Sequence, residues 1–270
     1  MATPAPSSKD GGGSFPLAGW IRGHLEGLGA FSQLFGGAFR NVFARPFYGG
    51  DTMLQMDAIG VGSLPIVILT GFFTGAVMAL QLASTLSQYG QIERTGQLVA
   101  LSLVRELGPV LTGLMVAARN AAGMASELGS MVVTEQVDAM RALGTDPMKK
   151  LVTPRLLATI AMMFCLVVLA DLCGMVGGFL YSITALRLDP RQYWYTSLQA
   201  LSATDFSQGL IKPVVFGIIV ATVGCYYGLR ARGGTRGVGR ATTTAVVSSS
   251  VLIILTDFLI SRVLISIFGA

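Results

Sequence analysis

Residues 103–155 decide the fold, with the sequence LVRELGPVLTGLMVAARNAAGMASELGSMVVTEQVDAMRALGTDPMKKLVTPR. The stretch begins in an apolar segment that carries an adjacent Arg105 and Glu106, and it continues through small residues. It ends in a short, charged, amphipathic segment that precedes Lys149 and Lys150. An apolar segment that leads into a charged helix is typical of a protein that transmits movement between a bilayer and a soluble partner.

The composition around this stretch is that of a membrane protein. Of the 270 residues, 52% are hydrophobic and 12% are charged, and the mean hydropathy is +0.65, whereas a soluble domain carries about 25% charged residues. The basic residues lie in loops between apolar segments, so the net charge of +5 indicates membrane topology and no nucleic-acid partner. The three cysteines lie in apolar segments without a CxxC motif, so no metal site is predicted.

Five apolar segments predict an all-α polytopic protein with five transmembrane helices, because about 20 apolar residues cross a bilayer. The segments lie at about 58–82, 97–121, 156–184, 211–229 and 245–268. Basic residues cluster before the first segment, in 122–155 and in 230–240. By the positive-inside rule, the N-terminus is predicted to be cytoplasmic and the C-terminus to lie on the opposite side.

The N-terminal region has two predicted parts. Residues 1–14 are rich in Pro, Ser and Gly and are predicted to be disordered. Residues 15–50 have apolar side chains at helical spacing, which indicates an amphipathic helix in the membrane interface or one packed on the chain's own membrane domain. Both interpretations stay open from the sequence.

The second apolar segment allows two registers. If the helix crosses from about 97 to 118, Arg105 and Glu106 lie inside the hydrocarbon, where each costs about 2.5–3.5 kcal/mol at the centre of a span. If it begins near Leu107, both charges lie at the interface and Pro109 falls in a first turn, which tolerates proline. In either register the pair is a candidate for contact with a lipid headgroup.

The segment after the second crossing predicts a short amphipathic helix in the largest loop. Its apolar face comprises Val133, Val137, Met140 and Leu143. Its polar face comprises Glu135, Asp138 and Arg141. Thr134 is a candidate N-cap, and Gly144 followed by Asp146-Pro147 ends the helix. The pattern fits a helix that contacts a partner, and it also fits an ordinary solvated helix.

Small and charged residues inside the spans add two expectations. Gly71 and Gly75 form a GxxxG pair, which permits close helix approach, and they are predicted to contact a second copy of the chain. Asp171 in the third span is either a functional polar group or one satisfied by a hydrogen bond from another helix. No GxxxxGK[ST] or GxSxG motif is present and there is a single histidine, so no enzyme activity and no cofactor are predicted for this chain.

Three motifs carry a resemblance to a known family. LVALSLVRELGPVLTGLMVAAR, ELGSMVVTEQVDAMRALGTDP and GRATTTAVVSSSVLIILTDF occur in this order, and together they resemble the MlaE/YrbE permease family. These proteins are the membrane subunits of MCE-associated lipid ABC transporters. The resemblance covers about residues 55–268.

The resemblance implies an assembly in the bacterial inner membrane. It implies a homodimer that works with an MlaF-like ABC ATPase, which binds ATP and Mg²⁺, and often with a small MlaB-like STAS-domain protein. On the periplasmic side it implies an MlaD-like MCE-domain protein. The implied cargo is phospholipid, moved between the inner and outer membranes.

The resemblance also implies roles for particular residues. The predicted lipid-binding residues are Arg105, Glu106, Tyr89, Lys212, Met78 and Leu107. The predicted ATPase-coupling residues are Glu135, Gln136, Asp138, Met140 and Arg141. The alternatives are a stand-alone secondary carrier or channel, which usually shows internal repeats that this sequence lacks, and a membrane scaffold without transport.

Overall fold

The structure, a computed structural model, describes residue 36 and residues 48–268. The predicted disordered segment 1–14 and nearly all of the predicted helix 15–50 lie outside these residues. The described part is helical and contains no strand, and five of its helical segments are long and apolar enough to cross a membrane. The predicted all-α fold with five transmembrane helices is therefore confirmed.

The helices are longer than the apolar segments that predict them, because polar residues at their ends do not stop a helix outside the hydrocarbon. Nine α-helices make up most of the described residues: α1 Gly49–Gln88, α2 Thr95–Ser102, α3 Gly108–Val116, α4 Ala122–Val133, α5 Gln136–Ala142, α6 Thr153–Thr184, α7 Pro190–Ala200, α8 Ala203–Leu229 and α9 Gly234–Phe268. Three π turns, Leu103–Leu107, Ala117–Ala121 and Met148–Val152, and the 3₁₀ turn Ile92–Arg94 continue or connect them.

The second span is one continuous helical rod from Ile92 to Val133, built from α2, α3 and α4 with π turns between them. Arg105 and Glu106 therefore lie within the rod, and the register in which the helix begins near Leu107 is wrong. Pro109 is accommodated because it directly follows the first π turn, where the Gly108 N–H already bonds to the Leu103 carbonyl.

The span formed by α8 is the centre of the bundle. In its apolar 18-residue stretch about 61% is buried within the chain, against 11% in the corresponding stretch of the fifth span. Phe216 and Val220 of α8 pack in the main apolar core with Val116 and Leu166 from the neighbouring spans. The apolar side chains of α9 are instead largely exposed, which leaves this helix an outer face of the isolated chain.

Close contact between α1 and α6 depends on glycine. A Cβ on Gly71 would lie 2.7 Å from the Ala170 carbonyl oxygen, and one on Gly75 would collide with the Gly174 carbonyl. The prediction that Gly71 and Gly75 contact a second copy of the chain is therefore wrong. A GxxxG pair permits close approach by any helix, and here that helix belongs to the same chain.

Replacing Gly75 with alanine is expected to destabilise the folded chain, because the new methyl group meets backbone that cannot rotate away. Overpacking of this kind costs about 1–3 kcal/mol, and occasionally more. Gly123→Ala is the matched control, since no atom lies within 4 Å of a Cβ there. Thermal unfolding of the purified full-length chain in detergent measures the difference, and equal melting temperatures for the two variants would contradict the packing.

The helix α5 is joined to the second span by a sharp turn. Glu135 adopts a left-handed conformation with φ 60°, which reverses the chain direction after α4. Thr134 does not cap α5 as predicted, because its hydroxyl donates back to the Ser130 carbonyl at 2.8 Å. The predicted end is confirmed: Gly144 has φ 76°, and the Thr145 N–H bonds to the Met140 carbonyl at 2.9 Å.

The opposite end of the bundle is covered by α7, which lies between the third and fourth predicted apolar segments. Asp189 caps this helix by accepting a hydrogen bond from the Arg191 N–H at 2.8 Å. Tyr193 is buried against Gly178 of α6, and its ring lies 5.6 Å from the ring of Phe179. Burial raises the pKa of Tyr193 to about 12, so its hydroxyl stays protonated at neutral pH. The contact fixes α7 on the third span.

Candidate functional site

Lys212 is the largest fully buried side chain of the described part, with 1% of the side chain exposed. Its helix approaches the first π turn closely, because Gly209 packs against the Val104 carbonyl, where a side chain would collide. The ammonium group lies 2.5 Å from Glu106 Oε2 and 2.9 Å from Asp257 Oδ1, and it donates to the Arg105 carbonyl at 2.9 Å. The lysine therefore donates hydrogen bonds to the Arg105 carbonyl and to Glu106, and it forms an ion pair with Asp257.

The backbone acceptor is available because of Pro109. In an α-helix the carbonyl of Arg105 accepts from the N–H four residues later, and Pro109 has no N–H. Lys212 Nζ takes that place at 2.9 Å. Pro109 thus removes one backbone donor from the Arg105 carbonyl, and Lys212 of α8 supplies another.

Arg105 is held by the start of α8. Its Nε and Nη2 lie 2.6 Å and 2.5 Å from Asp205 Oδ1. Asp205 also accepts from the N–H of Ser202 at 2.8 Å, in a reciprocal capping box at the first turn of α8. Arg105 remains 38% exposed while Asp205 is buried, so a fixed guanidinium is presented at the surface of the isolated chain.

Glu106 connects the second span to the last. Ser261 of α9 donates to Glu106 Oε1 at 3.0 Å, and Asp257, one turn earlier on α9, contacts the shared Lys212. Glu106 is 47% exposed. With both carboxylates ionised, the group of Lys212, Glu106 and Asp257 carries a net charge of −1, and the exposed part of that charge is on Glu106.

The other predicted lipid-binding residues lie near this charged group or away from it. Met78 and Leu107 are partly buried, and both pack on the small apolar cluster that includes Leu103 and Met175. Tyr89 lies in the turn that follows α1 and is 74% exposed, with only a backbone hydrogen bond to Leu86. The structure thus brings together Arg105, Glu106 and Lys212 and leaves Tyr89 outside their hydrogen-bonded network.

Sequence reasoning assigned no functional role to three members of this network: Asp205, Asp257 and Ser261. Asp205 had a detectable signal, because Ser202 and Asp205 have the spacing of a capping box at the start of an apolar segment. Asp257 is the only acid of the last apolar segment, which indicates a buried partner but does not identify it. Nothing in the local pattern distinguishes Ser261 from other serines of α9.

Asp171 lies on the far side of the same π turn. Its carboxylate packs directly against Gly108, where a side chain would collide with it. Oδ1 of Asp171 is buried, and no residue of the described ranges donates a hydrogen bond to it. The interpretation of a carboxylate satisfied by an interhelical hydrogen bond therefore does not hold for this oxygen.

The predicted coupling residues lie on α5 and at its start. Glu135, Gln136, Asp138 and Arg141 are exposed, and Met140 is partly buried against the apolar core. Val137 is buried and lines a cavity of about 180 Å³ with Asp138, Arg141 and the loop that follows α8. An ion pair of 2.7 Å joins the exposed side chains of Asp138 and Arg141. The helix is therefore anchored by its apolar side and presents a charged side outward.

The fold and the buried charges define a class of protein: a multi-pass α-helical membrane protein with an ion-paired network between spans two, four and five. The chain matches the family described as Permease MlaE over residues 52–263. It therefore belongs to the MlaE permease family.

Individual relatives share most of the chain. A probable ABC transporter permease protein of Rickettsia typhi is 44% identical over 88% of this chain and 92% of its own length. The intermembrane phospholipid transport system permease protein MlaE of Haemophilus influenzae is 34% identical over 80% of this chain and 82% of its own length. The chloroplastic protein TRIGALACTOSYLDIACYLGLYCEROL 1 of Arabidopsis thaliana is 35% identical over 78% of this chain and 60% of its own length.

Proposed function

We propose that this chain is the membrane subunit of an ABC transporter that moves phospholipids between the inner and outer membranes of a bacterium. The observation that carries the proposal is the half-exposed pair Arg105 and Glu106, which is fixed on buried partners inside a membrane span. Fixed charges of both signs next to apolar helix faces match the polar head and the acyl chains of a phospholipid. The similar permeases named for phospholipid transport support the same cargo.

The two exposed charged residues, Arg105 and Glu106, have different functions in this proposal. Arg105 presents a guanidinium to the headgroup phosphate, for which its planar, multiple N–H donors are suited. Glu106 presents a carboxylate to an amine of the headgroup. Arg105 is held in position by Asp205, and Glu106 is held in position by Lys212, which also pairs with Asp257. Met78 and Leu107 contribute apolar surface beside them, and Tyr89 contacts the lipid at the entrance of this proposed site.

The assembly that we propose uses a second copy of the chain to enclose the lipid site at Arg105 and Glu106. The fifth span exposes large apolar side chains, among them Phe258 at 65% and Leu259 at 52%. A homodimer would cover such a face and would enclose the two Arg105–Glu106 pairs between the copies. An MCE-domain protein on the periplasmic side continues the path of the lipid toward the outer membrane.

Energy for this movement comes from a separate ATPase that binds ATP and Mg²⁺, and we place its contact at α5. The exposed polar residues Glu135, Gln136, Asp138 and Arg141 form the contact, and Met140 anchors the helix beside it. The basic residues clustered in 122–155 and 230–240 support a cytoplasmic α5, with the N-terminus cytoplasmic and the C-terminus periplasmic. A small STAS-domain protein would bind to the ATPase.

Reversing the charges of Asp138 and Arg141 tests this proposal. The variant Asp138→Arg with Arg141→Asp keeps the net charge and an ion pair within α5, so the permease is expected to fold as before. Its complex with the ATPase is expected to dissociate or to lose lipid-stimulated ATP hydrolysis by about tenfold, since charged contacts contribute about 1.5–3 kcal/mol.

Co-purification from membranes and the ATPase rate of the reconstituted complex measure this effect. Swapping the exposed pair Gln192 and Glu93, which hydrogen-bond at 2.7 Å near the opposite end of the bundle, is the matched control. Full complex yield and an unchanged ATPase rate for the α5 variant would contradict the assignment. A chain that transfers lipid alone, without any ATPase, would favour a stand-alone carrier.

A further inference from the structure

Arg119 is a second membrane cation, separate from the Lys212 network. It lies in the second π turn, and its side chain is exposed between the second span and α1. Nη1 donates to Ser63 Oγ at 2.9 Å and to the Ala58 carbonyl at 3.3 Å. The guanidinium rests on Gly62, where a side chain would collide with it. Its position is therefore fixed by α1.

This arginine lacks a counter-ion within the described residues. Four other cations on the spans, namely Arg105, Lys150, Arg155 and Lys212, each pair with a carboxylate within 2.9 Å, whereas Arg262 of α9, like Arg119, has no such partner in the described part. No carboxylate of residues 48–268 lies within ion-pair distance of Arg119. Both contacts of the guanidinium involve Nη1, so the three N–H groups on Nε and Nη2 remain available.

The depth of the guanidinium matches the boundary between headgroups and hydrocarbon. Gly62 lies five residues beyond the exposed Asp57 along α1, about 8 Å at 1.5 Å per residue. Arg119 lies about 12 Å beyond the exposed Glu127 on the second span by the same measure. Exposed apolar residues, Ile66, Leu69 and Phe73, follow Gly62 on the same face of α1. The cation therefore sits at the edge of an exposed apolar stripe.

We propose that Arg119 binds the phosphate of a phospholipid in the leaflet on the α5 side, which is cytoplasmic in the orientation proposed above. The free N–H groups of Nε and Nη2 give the guanidinium the geometry for two-point contact with phosphate oxygens. The acyl chains follow the apolar stripe of α1 toward the membrane centre. A guanidinium without a counter-ion is unfavourable beside hydrocarbon, and a phosphate would supply the missing opposite charge.

This site is independent of the transport activity and of the Lys212 network. It requires only that the chain is in a bilayer or in lipid-containing detergent. The site holds a lipid on the flank of the bundle, against α1, whereas the Arg105–Glu106 pair lies between spans two, four and five. Lipid binding at Arg119 is thus measurable in the absence of ATP and of partner subunits.

Native mass spectrometry of the purified full-length chain with added dioleoylphosphatidylglycerol tests the proposal. Arg119→Gln removes the charge, and Gly62→Leu displaces the guanidinium while keeping the charge. Both variants are expected to bind one lipid fewer per copy, or to bind it about tenfold more weakly, which corresponds to about 1.4 kcal/mol. Arg236→Gln removes an exposed cation of the first turn of α9 and is expected to retain the wild-type lipid count.

Each contrary outcome overturns the site. Equal lipid counts for Arg119→Gln and wild type would show that the guanidinium reaches water instead. Loss of the oligomeric state with an unchanged lipid count per copy would assign Arg119 to a contact between proteins. A loss for Arg236→Gln as large as that for Arg119→Gln would show nonspecific attraction. If Arg119→Gln does not fold, Arg119→Lys keeps the charge, and undiminished lipid binding in that variant would contradict two-point recognition.

Discussion

Replacing Lys212 with methionine is expected to prevent stable folding of the membrane domain. The substitution keeps the length of the side chain but removes the ammonium that separates Glu106 from Asp257, 2.5 Å and 2.9 Å away. Loss of one partner from a buried ion pair costs about 3–5 kcal/mol, which is a large part of the stability of a typical domain. The Arg105 carbonyl also loses its hydrogen bond from the ammonium group.

The rescue experiment separates charge from packing. Adding Glu106→Gln and Asp257→Asn to Lys212→Met removes both unpaired carboxylates, so the triple variant is expected to regain most of the melting temperature. It is not expected to regain lipid transport, because Glu106 is part of the proposed headgroup site. A single Lys212→Met variant with wild-type stability would contradict the buried network, and an active triple variant would contradict the role of Glu106.

Glu106→Gln alone is expected to leave the fold intact and to reduce lipid transfer by about tenfold or more. Lys212 keeps its ion pair with Asp257 and its hydrogen bond to the Arg105 carbonyl, and the glutamine amide oxygen still accepts a hydrogen bond. The charge that Glu106 would present to a headgroup amine in the proposed site is lost, and a hydrogen bond to a charged group contributes about 1.5–3 kcal/mol. Transfer of a fluorescent phospholipid between vesicles by the reconstituted complex measures the rate.

A graded comparison controls for indirect effects. Ser261→Ala removes one neutral donor to Glu106 and leaves its charge, so a smaller loss, about 1 kcal/mol or fivefold, is expected. Gly123→Ala, in open space on α4, is expected to transfer lipid at the wild-type rate. If Glu106→Gln transfers lipid as fast as Gly123→Ala at equal protein recovery, then Glu106 and Arg105 serve as an anchor pair that reaches interfacial water.

The sequence predicted the helical architecture because hydrophobic length alone determines a transmembrane span. It also placed α5 and its end at Gly144, since a helix terminates at a local signal. It could not choose the register around Leu107, because the π turn that places Arg105 and Glu106 within a continuous helix depends on contacts with Gly209 and Lys212 of α8.

Partner choice was the part that the sequence did not determine. Gly71 and Gly75 predicted a close helix contact correctly but assigned it to another copy of the chain, since a glycine pair carries no information about which helix approaches. Asp257 was noticed as an isolated acid in the last span, yet its pairing with Lys212 joins helices that only the tertiary fold brings together. The same limit applies to Asp205 and Arg105.

Each of the three π turns carries a cation that reaches a neighbouring helix or loop: Arg105 to Asp205, Arg119 to Ser63, and Lys150 to Asp51. A π turn contains one residue more than an α-helical turn, so the helix on either side of it is out of register by one residue. Conversion of a π turn into regular α-helix would rotate the helix beyond it by about 100° and shift it by about 1.5 Å along its axis. The second span contains two such turns, one at Arg105 and Glu106 and one between these charges and α5, and it therefore has a built-in means of twisting one end relative to the other.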